Sequence, residues 1–175
     1  MTAPNFSRLA NLSLRGITLA SKFLLIFFLA RFLEPSQLGL YGLFVATVGY
    51  ALYLVGFDFY TFTTREIIKR ERHEWGAVIK SQGALFLALF VSFLPVLSLV
   101  FIQELLPRSL AAWFLVLLVL EYLTQEIGRL LIAMSEQLMA SLVLFLRMGI
   151  WSVILTVLMF IEPDSRNLDF VFGAW

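Results

Sequence analysis

Five runs of this chain are each apolar over the ~20 residues a helix needs to cross a bilayer core, and that leaves few folds open. They cover roughly Leu12–Leu33, Gly39–Phe62, Ser81–Ile102, Leu110–Met134 and Met139–Ile161, and a sixth begins at Leu168 and is cut off at Trp175. Between them lie short breaks rich in turn residues: Glu34-Pro35-Ser36, Leu106-Pro107-Arg108 and Glu162-Pro163-Asp164-Ser165. The expected architecture is all-α: a polytopic transmembrane helix bundle, up and down, forming a single domain over residues 1–175. Only 14% of residues are charged, against about 25% in ordinary globular domains, and 61% are hydrophobic. A sixth span stopping at Trp175 would be a stub, so the chain reads as the N-terminal part of one lobe of a longer, two-lobed transporter.

Lysine and arginine in short loops set the orientation. Arg8 and Arg15 at the N-terminus fall on the same side as Arg65, Lys69, Arg70, Arg72 and Lys80, whereas the alternate loops offer mainly Arg31, Arg108 and Arg166. The expected topology has the N-terminus in the cytoplasm. No cleavable signal peptide is evident, so the first apolar run is expected to stay as an anchor.

Several chemistries are excluded. The chain has no cysteine, so thiolate metal sites and cysteine nucleophiles are ruled out, and its single histidine cannot build a multi-histidine centre. A net charge of +1 gives no reason to expect nucleic acid. No metal, cofactor or catalytic residue is expected.

Charged residues inside the apolar runs carry the functional signal. Lys22 lies near the middle of the first run, where a charge costs at least ~2.5 kcal/mol unless it faces protein or water. At ~100° per residue, Arg8, Asn11, Arg15, Thr18 and Lys22 share one helical stripe. A basic stripe leading from a membrane surface towards the centre suits an anionic group entering the membrane. Arg147 interrupts the fifth run and is a further candidate for the same cavity. Ordinary readings stand beside these: Arg15 snorkels at the interface, and Lys22 forms a structural ion pair with an acid on another helix.

The fourth run offers Glu121, Glu126 and Arg129. Glu126 and Arg129 have the i,i+3 spacing of an intrahelical pair. Glu121 has no base three or four positions away, so its partner must come from elsewhere, and either carboxylate is a candidate for ion coupling. In the second run Gly42, Gly49 and Gly56 recur every seven residues, a seam that lets another helix approach. Tyr50 and Tyr53 are deep enough to contact a sugar ring, and Asp58 reads as solvated or paired with Arg65. The segment from Thr63 to Trp75 reads as a short amphipathic helix on the membrane surface, with Trp75 at the interface. Pro95 is a possible kink in the third span.

The stretch Ala30-Arg31-Phe32-Leu33-Glu34-Pro35-Ser36-Gln37-Leu38-Gly39-Leu40-Tyr41-Gly42-Leu43-Phe44 resembles the first-loop signature of polysaccharide-biosynthesis membrane proteins. These are the lipid-linked oligosaccharide flippases of the multidrug/oligosaccharidyl-lipid/polysaccharide exporter superfamily. Thr64-Arg65-Glu66-Ile67 and the charged loop leading into the third span are also similar to that family. The resemblance implies two lobes around a cavity, alternating access, and residence in the bacterial inner membrane. It implies an undecaprenyl-pyrophosphate-linked oligosaccharide as substrate, membrane lipids and polysaccharide-assembly proteins as partners, and no enzyme activity. Arg15, Lys22 and Arg147 are the residues placed to hold the headgroup.

Two other classes are weighed. A proton- or sodium-coupled drug exporter of the same superfamily would use Glu121 or Glu126, but an acidic cavity suits it better than a basic first span. A membrane polymerase or ligase would need a large outer loop or a convergent acid–base set, and the visible outer loops are short.

Overall fold

The computed structural model describes residues 3–175; residues 1 and 2 of the expected domain lie outside them. The described chain is 89% helical and contains no strand, so the all-α reading holds. The helices are α1 (Ala3–Phe32), α2 (Pro35–Gly56), α3 (Tyr60–Lys69), α4 (Trp75–Ile102), α5 (Ala111–Ala133), α6 (Gln137–Phe145), α7 (Trp151–Ile161) and α8 (Leu168–Ala174). A single π-helical turn, Leu146–Ile150, joins α6 to α7 within one continuous rod. Short 3₁₀ turns lead into α4, α5 and α8.

Five helical segments are long and apolar enough to cross a membrane: Arg8–Phe32, Pro35–Gly56, Arg72–Ile102, Arg108–Ala133 and Gln137–Ile161. The protein is a multi-pass membrane protein. Large apolar side chains cover its outside, such as Leu12 and Phe23, which are 73% and 72% exposed. In water that surface would be an aggregation hazard, but hydrocarbon solvates it.

The ends of the helices follow from local chemistry. Pro35 opens α2, where a missing N–H costs nothing, and it holds the preceding Glu34 outside the helix. Phe57 and Asp58 adopt left-handed backbone with φ of 45° and 51°, which stops α2 at Gly56, short of the expected Phe62. Left-handed Glu104 and Ser135 follow the ends of α4 and α5 in the same way, with φ of 57° and 64°. Asn167 caps α8, its side-chain oxygen accepting the Phe170 N–H at 2.8 Å.

The chain forms two compact units. One comprises residues up to Gly42 together with Glu136–Trp175, and the other is Leu43–Ser135. In the first unit α1 lies along α6, the π turn and α7, and α8 packs on α7. Leu25, Leu29, Leu155 and Met159 are buried there, and Phe28, Phe32 and Phe160 form a ring cluster with centroids 5.6 to 5.8 Å apart. Arg166 closes the end of α7: its Nε donates to the Met159 carbonyl at 2.8 Å, and its guanidinium lies over the Phe32 ring.

In the second unit α3 packs on α4 and α5. Phe86 and Tyr122 stack with centroids 3.6 Å apart, and Phe114 meets Phe44 and Phe101 edge-on. The amphipathic helix is shifted from the expected segment: it begins at Tyr60 and ends at Lys69. Trp75 opens α4 instead of sitting free at the interface. Its indole N–H donates to the carbonyls of Ile67 and Arg70 at 3.0 and 3.2 Å, fastening the end of α3 to the start of α4. Pro95 lies inside α4 without ending it.

Candidate functional site: a basic stripe on the first helix

In the first unit, the polar stripe of α1 faces the long α6–α7 rod. Ser141 on α6 is 1% exposed and ties two members of the stripe together. It accepts a hydrogen bond from Arg15 Nε at 3.1 Å, and its hydroxyl donates to the Asn11 side-chain oxygen. Further along, Thr18 and Ser21 are buried and donate to the carbonyls of Leu14 and Ile17 at 2.7 and 2.8 Å. Their hydroxyls are therefore satisfied within α1 and need nothing from the rod. Lys22 follows, half-buried, and makes no ion pair with a carboxylate of its unit.

Arg147 sits half-buried on the π turn, which packs against α1, the helix that carries Lys22. Two helices of this unit thus carry cations at membrane depth, where a charge facing lipid would be costly. Within Arg8–Phe32 and Gln137–Ile161 the charged residues are Arg8, Arg15, Lys22, Arg31 and Arg147, all basic. The acids of the unit are Glu34, Glu136, Glu162, Asp164 and Asp169, and every one lies outside those two segments. Arg8 and Arg31 are exposed.

Sequence periodicity gave no sign of the π turn. Gly149 at its centre is buried, and a Cβ built there would stand 2.5 Å from the Phe145 ring. The wider turn thus lets an aromatic ring lie against a backbone with no side chain. Single π turns inside α-helices are frequent at functional sites. A lone Gly in an apolar run is the only trace in the sequence, and it is shared with many ordinary packing glycines.

The second unit treats its charges differently. Glu126 is buried; one oxygen accepts from Arg129 at 2.6 Å and the other from the Gln82 amide on α4. Arg129 also lies over the Tyr60 ring, 3.7 Å from its centroid, and reaches Gln125 at 3.5 Å. Carboxylate and guanidinium are both fully engaged, a bridge that fixes α3, α4 and α5 together. Glu121 is buried in the same unit. Beside this bridge is a cavity of about 170 Å³ lined by Gly49, Tyr53, Gly56, Asp58, Tyr122 and Arg129, among others. The glycine seam of α2 serves as its floor: a Cβ at Gly49 would meet nothing, and one at Gly56 would reach only Tyr122 at 3.8 Å. Asp58 turns towards this cavity from its left-handed position and makes no ion pair with Arg65. Tyr50 is exposed, as is Tyr53 at the cavity edge. His73 is exposed beside Glu71, 3.4 Å away. No group of three or more potential metal ligands occurs among the described residues.

Comparison with protein-family models, with characterised proteins and with solved structures returned no match for this chain.

Proposed function

We propose that the protein is an inner-membrane flippase component that handles an undecaprenyl-pyrophosphate-linked oligosaccharide by alternating access, for surface polysaccharide assembly. One observation carries the reading: every charge within the two membrane-crossing segments of the first unit is basic, and the turn that carries Arg147 packs against the helix that carries Lys22. A pyrophosphate cannot cross hydrocarbon bare, and fixed cations in a wet cleft replace the water and counterions it leaves behind. Arg15 stands nearer the N-terminal end of the same stripe, held by Ser141, as a first contact for the headgroup. The loop-one resemblance around Arg31–Tyr41 supports the same substrate class and a cytoplasmic N-terminus, so the stripe opens towards the leaflet where such lipids are made.

The test is genetic and direct. In a strain that depends on this gene, Lys22→Ala with Arg147→Ala is expected to abolish surface polysaccharide while the protein stays at normal level in the membrane. Normal polysaccharide in that strain makes the cations structural and ends the proposal.

The alternative reading is a proton- or sodium-coupled exporter, and its support is the carboxylates of the second unit. Glu126 is already engaged by Gln82 and Arg129, which suits a structural bridge better than a carrier of ions. Drug sensitivity on deletion, with intact surface polysaccharide, would favour the exporter.

A further inference from the structure

In the second unit, a groove opens between the third and fourth membrane-crossing segments, beside the turn that joins α4 to α5. Its volume is about 360 Å³, and Leu94, Leu97, Phe101, Ile102, Phe114 and Leu115 are among the residues that line it. Bulky rings set the spacing of the two helices here. Phe101 and Phe114 meet edge-on with centroids 5.5 Å apart, and Phe114 meets Phe44 in the same way at 6.0 Å. Ser98 also lines the groove, but its hydroxyl proton is already donated to the Pro95 carbonyl at 2.6 Å. Arg108 is the one charged residue of the lining, and it is exposed at the start of the fourth segment. Among the described residues it makes no ion pair, with Glu104 of the same turn or with any other acid.

Shape and charge narrow what fills it. A dry apolar cavity of ~150 Å³ already takes a molecule the size of benzene, so this groove has room for a longer hydrocarbon. Leu94 and Ile102 are eight residues apart in α4, ~12 Å along a helix, against ~15 Å for the hydrocarbon depth of one leaflet. A neighbouring helix is the wrong shape. Helices that pack closely in a membrane meet through small residues, and of this lining only Ser98 and Ala111 are small. A flexible chain can follow a slot between leucines and phenylalanines that a rigid helix cannot enter. The cation at the rim selects the head: the planar donors of an arginine suit a phosphate and repel an ammonium.

We infer that this groove holds one anionic phospholipid of the surrounding bilayer, an acyl chain lying along it and the headgroup phosphate on Arg108. Bound there, the lipid joins α4 to α5 through contacts that their own side chains leave unmade. The inference stands apart from how Lys22 and Arg147 are read.

The purified chain in detergent micelles is titrated with phosphatidylglycerol, or with phosphatidylcholine of the same acyl chains, and bound lipid is counted by native mass spectrometry. One phosphatidylglycerol per chain is expected to stay bound, about fivefold more tightly than phosphatidylcholine, the preference that a single arginine confers near a lipid surface. Arg108→Gln is expected to erase that preference and leave the apolar part of the binding. Ala111→Phe puts a ring into the groove and is expected to remove binding of both lipids. Circular dichroism and the melting temperature show whether Ala111→Phe has folded; if it has not, Arg108→Gln, altered only at an exposed position, carries the test. Equal binding of the two lipids by the unaltered protein, or an unchanged preference in Arg108→Gln, overturns the inference. Undiminished lipid on folded Ala111→Phe overturns it as well, since the lipid then sits elsewhere on the surface. A lipid-free dimer overturns it in favour of a second copy of the chain.

Discussion

The two units handle charge inside the membrane in opposite ways. In Leu43–Ser135, α5 brings Glu121, Glu126 and Arg129, signs mixed, and the pair Glu126–Arg129 is closed by Gln82 and Tyr60. In the other unit the membrane-crossing segments bring only bases: Arg8, Arg15 and Lys22 along one face of α1, Arg31 near its end, and Arg147 on the π turn. A neutralised bridge holds helices together, whereas an excess of one sign raises the local potential. The contrast separates two arrangements of charge among residues that look alike in a hydropathy plot.

The sharpest way to break the contrast is to exchange the roles. Lys22→Ala with Arg147→Ala is expected to remove transport, at least a hundredfold in surface polysaccharide, with the protein still at normal level in the membrane. Arg129→Ala should do the reverse in kind: it strands the Glu126 carboxylate, costing about 2–3 kcal/mol, a figure reduced because Arg129 is partly exposed. Adding Glu126→Gln should recover much of that loss in the same melting experiment. If Arg129→Ala melts normally, the bridge is not structural and the second unit needs a ligand of its own.

Gly149→Ala comes next. Its Cβ would press on the Phe145 ring, so a loss of about 1–3 kcal/mol is expected, together with weaker pyrophosphate binding. Phe145→Ala added to it makes room and should restore binding; failure to restore would mean that the π turn is held by something else. Trp75→Phe removes the donor that fastens α3 to α4 and should cost about 1 kcal/mol, read as faster tryptic cleavage between Arg65 and Arg72. The smallest effect belongs to Ser141→Ala. Losing the link between Asn11 and Arg15 is expected to weaken pyrophosphate binding only two- to threefold, since it loosens Arg15 without removing its charge.

Most of the helices were legible because membrane-crossing segments advertise themselves: length and apolarity leave a backbone no other way to satisfy its own polar groups. Their ends were less so. Nothing at Phe57 or Asp58 announces left-handed backbone, because that conformation favours glycine and here falls on the two residues after one. The charged candidates could be named from the sequence, since a cation amid leucines stands out. Their company could not. The sequence offers Glu121 and Glu126 as possible partners for Lys22 on another helix, but spacing along one helix says nothing about which helix lies opposite.

The sequence by itself determined that this is an all-α, multi-pass membrane protein with a basic stripe on its first helix. The reason is that hydrophobicity and period act locally and are written residue by residue. Only the tertiary structure decided that α1 lies along α6, the π turn and α7, and that Glu126 closes on Gln82. It also decided that a π turn interrupts the rod at Leu146–Ile150. Those outcomes depend on which surfaces pack together, and packing is a property of pairs of segments far apart in the chain.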